Sequence, residues 1–236
     1  MKKIFILIIC VLALAITARL DATPSIHGSS GFVTMPGTGT VNPGSIYLGG
    51  HFIGGEPSIP VNFGFGLSEV WELTGAIELV DNDPADPYLD VSTKYRYYNG
   101  SELHSAFGVS LNLAFDETGG EDKAKFSIYN VIGRYAFGGS FGVGFGYTFG
   151  NDDYINYWMG YSLEILSKVL YLETDLSNFS YRFPWFMADY QNTSRGIGNI
   201  DLRLHLGEMV ILDFGILDGM DANRQGYIGG NVKLSL

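Results

Sequence analysis

From residue 44 to the end of the chain, runs of about ten residues recur in which apolar side chains alternate strictly with small or polar ones. No other feature restricts the fold so severely. In the clearest run Phe141, Val143, Phe145, Tyr147 and Phe149 share one face, and Ser140, Gly142, Gly144, Gly146 and Thr148 the other. A second sets Phe107, Val109, Leu111, Leu113 and Phe115 against His104, Ala106, Gly108, Ser110, Asn112 and Ala114. A third sets Ile200, Leu202, Leu204 and Leu206 against Asn199, Asp201, Arg203 and His205. Strand side chains point to alternate faces, so each run is a strand with one apolar face that must be covered, by a second sheet or by lipid.

Reading every such run predicts about twelve strands, near 44–53, 60–66, 70–80, 89–98, 103–115, 125–137, 140–149, 155–166, 169–178, 197–206, 209–217 and 225–236. Short links at 67–69, 99–102, 138–139, 167–168 and 207–208 alternate with longer ones at 54–59, 81–88, 116–124, 150–154, 179–196 and 218–224. Outer-membrane barrels alternate short periplasmic turns with longer outer loops in this way, and an even strand number returns both ends to the short-turn side. The expected fold class is all-β, an antiparallel transmembrane β-barrel over residues 44–236. Beyond residue 23 no run of about 18 apolar residues occurs, which excludes a helical membrane protein.

The positions of the charges decide which face meets lipid. One register keeps Asp, Glu, Lys and Arg off the face carrying Trp71, Leu73, Ile77 and Leu79, then Leu89, Val91, Tyr95 and Tyr97, then Tyr157, Met159, Tyr161, Leu163 and Ile165. Slipping each strand by one residue would put thirteen charges in hydrocarbon. Basic residues near the bilayer midplane cost about 2–4 kcal/mol each, so the first register is expected. It lines the interior with eight acids, Glu72, Glu78, Asp90, Glu164, Glu173, Asp175, Asp201 and Asp213, five bases, Lys94, Arg96, Arg134, Arg203 and Lys233, and His205. If open, such a lumen favours cations modestly; if its charges pair across strands, a salt-bridged network closes it. Ile128, Ile132, Trp158 and Ile211 also fall inward, as against a plug or a narrow waist, and the strand near 125–137 fits either register.

The chain begins as a secretory leader does, with Lys2 and Lys3 before an apolar stretch from Ile4 to Ile16 and small residues at Ala15, Ala18 and Ala22. Cleavage is expected after Ala22, giving residues 1–22 as signal peptide, and takes with it Cys10, the sole cysteine. The mature chain then carries 11 basic and 24 acidic residues, which argues against nucleic acid as a partner. Residues 23–43, rich in Gly, Ser, Thr and Pro, leave two outcomes open: a plug entering the lumen from below, or an unstructured periplasmic lead-in.

The stretch Gly28-Ser29-Ser30-Gly31-Phe32-Val33-Thr34-Met35-Pro36, followed by Asn42-Pro43-Gly44-Ser45-Ile46-Tyr47-Leu48-Gly49, resembles the beginning of YjbH-like outer-membrane barrels associated with exopolysaccharide and capsule production. Asn62-Phe63-Gly64-Phe65-Gly66-Leu67-Ser68-Glu69 resembles the glycine-rich strand and turn that follow in them. The resemblance covers roughly a quarter of the sequence, and Leu236 departs from the aromatic residue that usually ends such barrels. It implies an accessory role toward secreted polysaccharide and carries over no catalytic residue.

Hydrolysis in such a barrel relies on a group that takes a proton near neutral pH, usually histidine. Of His27, His51, His104 and His205, the last three point into the lumen in this register, and phosphate-loop and His-Glu-x-x-His motifs are absent from the sequence. No catalytic residue, metal site or cofactor is expected. The acidic runs at 81–86, 116–117, 121–122 and 152–153 read first as merely solvated outer loops, next as loops bridged loosely to lipopolysaccharide by divalent ions, and last as ordered metal sites. In the link 179–196, Tyr181, Phe183, Trp185, Phe186 and Tyr190 are unusually aromatic for a segment in water, which makes them candidates to gate the mouth or to bind a partner. The expectation is a bacterial outer-membrane barrel acting as a narrow passive pore or as an envelope and exopolysaccharide accessory protein. A non-conducting structural or surface-interaction barrel is the alternative, and a membrane-embedded hydrolase ranks last. Expected partners are outer-membrane lipid and lipopolysaccharide, the barrel-assembly machinery and exopolysaccharide export components.

Overall fold

In the computed structural model the described residues are 22–26, 28–54, 58–80, 88–114, 124–149, 154–178, 197–219 and 224–235. The leader up to residue 21, His27, the acidic runs named above, and Tyr181, Phe183, Trp185, Phe186 and Tyr190 lie outside the described residues.

Twelve strands succeed one another around a single sheet: β1 (Ser45–Ile53), β2 (Ser58–Ser68), β3 (Trp71–Val80), β4 (Tyr88–Asn99), β5 (Leu103–Ala114), β6 (Ala124–Ala136), β7 (Gly139–Phe149), β8 (Tyr154–Leu166), β9 (Leu170–Ser177), β10 (Ile197–Leu206), β11 (Val210–Leu217) and β12 (Gln225–Ser235). Their ends fall within two residues of the alternating runs in the sequence. Each strand pairs antiparallel with its neighbours in the chain, and β1 closes the ring on β12 from Ser45–Ser235 to Ile53–Tyr227. Closure leaves no edge strand with unpaired backbone groups, which is the condition for a sheet to sit in hydrocarbon.

Links 69–70, 100–102, 137–138, 167–169 and 207–209 gather at one end of the barrel, and the longer links at the other. The tightest, Phe137-Gly138, has both residues left-handed, at φ 54° and 78°. That is the mirror-image turn whose twist matches the strands it joins, and Tyr161 Oη donates to the Phe137 carbonyl at 2.6 Å to brace it.

Leu48, Val61, Ile77, Leu111, Phe145, Met159, Leu202, Phe214 and Ile228 stand on the outer face, each with roughly half its surface exposed. Among the described strand residues one charge joins them, Arg134, and here the structure corrects the sequence reading. In β6 the residues facing inward are Lys125, Ser127, Tyr129, Val131 and Gly133, while Ile128, Ile132 and Arg134 face outward. Arg134 sits at the short-turn end, 3.9 Å from Glu102, where the cost of a cation on the lipid face falls to about 0–1 kcal/mol. Trp158 and Ile211 do point inward.

The interior is not a bare water-filled tube. Ile26, Val33, Met35 and Val41, all from the segment preceding β1, are wholly or almost wholly buried. Ile26 and Val33 pack with Ile53, Leu217 and Tyr227 toward the long-loop end. Met35 packs with Tyr129, Val131 and Trp158, and Val41 with Tyr47 and Ile211 near the short-turn end. Residues 23–43 thus rise through the lumen and return to the start of β1. Backbone bonds fold the segment on itself, including Ile26 N to Val33 O and Gly37 N to Ser30 O.

Candidate functional site

The wall holds this segment with side chains chosen for the task. On β3 and β4, Glu72 and Lys94 form an ion pair at 3.0 Å. Glu72 accepts from Ser30 N at 3.2 Å, Ser30 Oγ at 2.6 Å and Val41 N at 2.8 Å. Lys94 Nζ donates to the Ser30 carbonyl at 2.6 Å and to Ser30 Oγ at 2.8 Å. On the opposite wall Asp175 accepts from Thr34 N at 2.7 Å, Met35 N at 3.2 Å and Asn199 Nδ2 at 2.6 Å. Asn62 Nδ2 donates to the carbonyls of Ser25 and Ile26, and Trp158 Nε1 to that of Pro36 at 3.1 Å. A segment without regular structure has backbone groups to satisfy, and these wall residues satisfy them where a sheet partner otherwise would.

A second charged group lies across β1, β9, β10 and β11. Arg203 Nη1 is 2.7 Å from Glu173, and Nε is 2.7 Å from Asp213 and 3.8 Å from Asp201. Arg203 also donates to Thr23 Oγ1. His51 Nε2 meets Asp213 at 3.1 Å, so the histidine that joins this group is His51, while His205 lies against Tyr171 with ring centroids 4.9 Å apart and the rings tilted by 49°.

The other inward charges are dispersed. Glu78 is buried toward the long-loop end, and Asp90 borders a small cavity against the segment. Arg96 donates to the Glu69 carbonyl at the short-turn rim. Glu164 accepts from Lys168 N at 2.6 Å in the turn after β8, and Lys233 lies 5.8 Å from the Tyr47 ring centroid. Lys125, absent from the sequence candidates, takes the inward place given to Arg134. Ser30, Thr34, Asn62 and Asn199, the residues that join segment to wall, were likewise not singled out. Their signal was faint: short polar side chains at inward positions, and hydroxyls in the Gly-Ser-Thr stretch.

Glycines make the room. Gly142 and Gly160 are cross-strand partners on β7 and β8, and the Phe32 ring lies on them so closely that a Cβ on Gly160 would come within 2.2 Å of it. With the segment seated, Glu72, Thr74, Ser127, Thr148, Asn156 and Asp201, from β3, β6, β7, β8 and β10, have 0% of their surface accessible to water.

Known proteins resemble this chain in fold. KdgM porin superposes with a TM-score of 0.57 at 12% identity, over 81% of this chain and 99% of that one. KdgM porin in complex with disordered oligogalacturonate gives 0.56 at 12% identity, over 81% and 99%. NanC porin gives 0.56 at 12% identity, over 81% and 100%. The protein has the fold of these outer-membrane porins, and about a fifth of its chain has no counterpart in them. No family model matches the sequence, and no curated protein matches it either.

Proposed function

We propose that the protein is a bacterial outer-membrane barrel of the porin type, forming a narrow passive pore that its own N-terminal segment holds shut at rest. The observation that carries this reading is the burial of the luminal charges against residues 23–43. A purely structural plug needs only apolar filling, whereas this one is held by polar bonds that water or a solute can replace one at a time. With the segment withdrawn, the described inward charges are eight acids and five bases, Lys125 replacing Arg134 in the second set. Fixed carboxylates in that excess favour small cations or neutral solutes over an anionic chain such as the oligogalacturonate bound to KdgM porin. Outward Leu111 and Phe145 meet acyl chains in this reading, and no step of it requires catalysis by the chain.

Planar-bilayer recording tests it. Refolded mature protein is expected to be mostly silent with rare openings, and a variant lacking 23–41 to conduct steadily with a modest cation preference. Silence of both, in protein shown to be inserted, would favour the second reading, a non-conducting accessory barrel of the envelope. The resemblance of residues 28–49 and 62–69 to YjbH-like barrels supports that reading and points to exopolysaccharide export components as its partners.

A further inference from the structure

Between the luminal segment and the wall at β4, β5 and β6 lies a cavity of about 10 Å³, lined chiefly by oxygen-bearing side chains: Ser25 and Ser29 from the segment, and Asp90, Ser92, Ser110 and Tyr129 from the strands. Asp90 Oδ1 and Ser25 Oγ are shut off from solvent and have no hydrogen-bond partner. The described ion pairs leave Asp90 out: Lys94 is engaged by Glu72, and Arg203 by Glu173, Asp201 and Asp213. Asp90 as a whole is only half-buried, but its Oδ1 in this place lacks both the water and the counter-charge that make burial of a carboxylate oxygen tolerable.

We propose that this cavity is a binding site for one dehydrated monovalent cation, Na⁺, coordinated by Asp90 and the surrounding hydroxyls. The volume admits a single water-sized particle. Hard oxygen donors suit an alkali or alkaline-earth ion, and a single carboxylate among neutral hydroxyls balances one positive charge, not two. Among the described residues no cluster of three or more His, Cys, Asp or Glu gathers as a divalent or transition metal prefers. Because its ligands come from both sides of the gap, the ion ties the segment to the wall. The site requires the segment in the lumen; it does not require that the opened barrel conduct, so bilayer silence leaves it untouched.

The test is thermal unfolding of the folded barrel in uncharged detergent, followed by circular dichroism at constant ionic strength, with NaCl exchanged for N-methyl-D-glucamine chloride. The expected result is a saturable rise in midpoint of roughly 2–4 °C in Na⁺. Asp90→Asn, which keeps the shape of the side chain, removes that dependence, and Ser25→Ala weakens it. A wild-type midpoint indifferent to Na⁺ overturns the proposal, since a water or a protonated carboxyl then fills the role. A dependence that survives in Asp90→Asn overturns it equally, by placing the ion elsewhere. Anomalous scattering from thallium(I) in crystals of the full mature chain gives a direct second reading, with the peak expected beside Asp90 Oδ1.

Discussion

Lys94 and Glu72 face each other at 3.0 Å on adjacent strands, and both also hold Ser30 of the luminal segment. Neither is accessible to water, so the pair exists at full strength only while the segment covers it. Removing one partner leaves the other charge buried and uncompensated, a cost of about 3–5 kcal/mol. Glu72→Gln and Lys94→Met are each expected to destabilise the barrel by that order in urea titrations monitored by tryptophan fluorescence. The double variant should lose much less than the two singles together. Strict additivity would mean that the ion pair is not the unit holding Ser30.

What the sequence makes legible and what it hides divide along a physical line. Strand number, link alternation and the outer face follow from period-2 patterning and from the cost of charges in hydrocarbon, and both rules act on local sequence. The charge rule failed at β6, because Arg134 lies at the short-turn margin, where a cation on the lipid face costs only about 0–1 kcal/mol, and because Tyr129 and Val131 find an apolar partner inside the barrel in Met35. Ile128 and Ile132 then fall on the lipid face, with Arg134 at its margin. The inward Trp158 and Ile211 did hint at something apolar within the barrel. What filled it was not readable, since a Gly-Ser-Thr segment without periodicity takes its conformation from the wall that surrounds it.

The Gly142–Gly160 pair makes a sharper test of the plug. Small inward residues in β7 register in the sequence only as the polar half of an alternation. In the structure they form the seat for Phe32, and any side chain at Gly160 competes with that ring. Overpacking of this kind costs about 1–3 kcal/mol, and if the segment yields before the wall does, its ratio of seated to unseated states falls by roughly 5- to 150-fold. Gly160→Leu is therefore expected to raise channel activity in planar bilayers. Adding Phe32→Ala should restore closure by vacating the seat.

Val33 reports the same movement chemically. Its side chain has 0% exposure, and the expected mature chain has no cysteine of its own. Val33→Cys should resist a water-soluble maleimide in the folded barrel, and react at least about fivefold faster when Gly160→Leu is added, since each 1.4 kcal/mol of plug destabilisation is a factor of about ten in the open population. Equal, fast labelling in both backgrounds would place residue 33 outside the lumen in the folded protein.

Two arginines on strand faces separate burial from mere position in the membrane. Arg203 has Glu173 and Asp213 at 2.7 Å, Asp201 at 3.8 Å and Thr23 as a further acceptor, with 2% of its side chain exposed. Among the described residues Arg134 has one distant ion-pair partner, Glu102 at 3.9 Å, and 56% of its side chain is exposed on the outer face. Arg203→Leu leaves three carboxylates without their shared cation and frees the hydroxyl of Thr23, so a loss of about 3–5 kcal/mol is expected, together with loosening of the segment. Arg134→Leu gives up an exposed pair worth about 0–1 kcal/mol and adds apolar surface at the bilayer margin. Its unfolding midpoint should therefore shift little, or rise. Had Arg134 lined the lumen as the alternation first suggested, its loss would instead resemble that of Arg203, and urea titration of the two variants side by side in the same lipid distinguishes these outcomes.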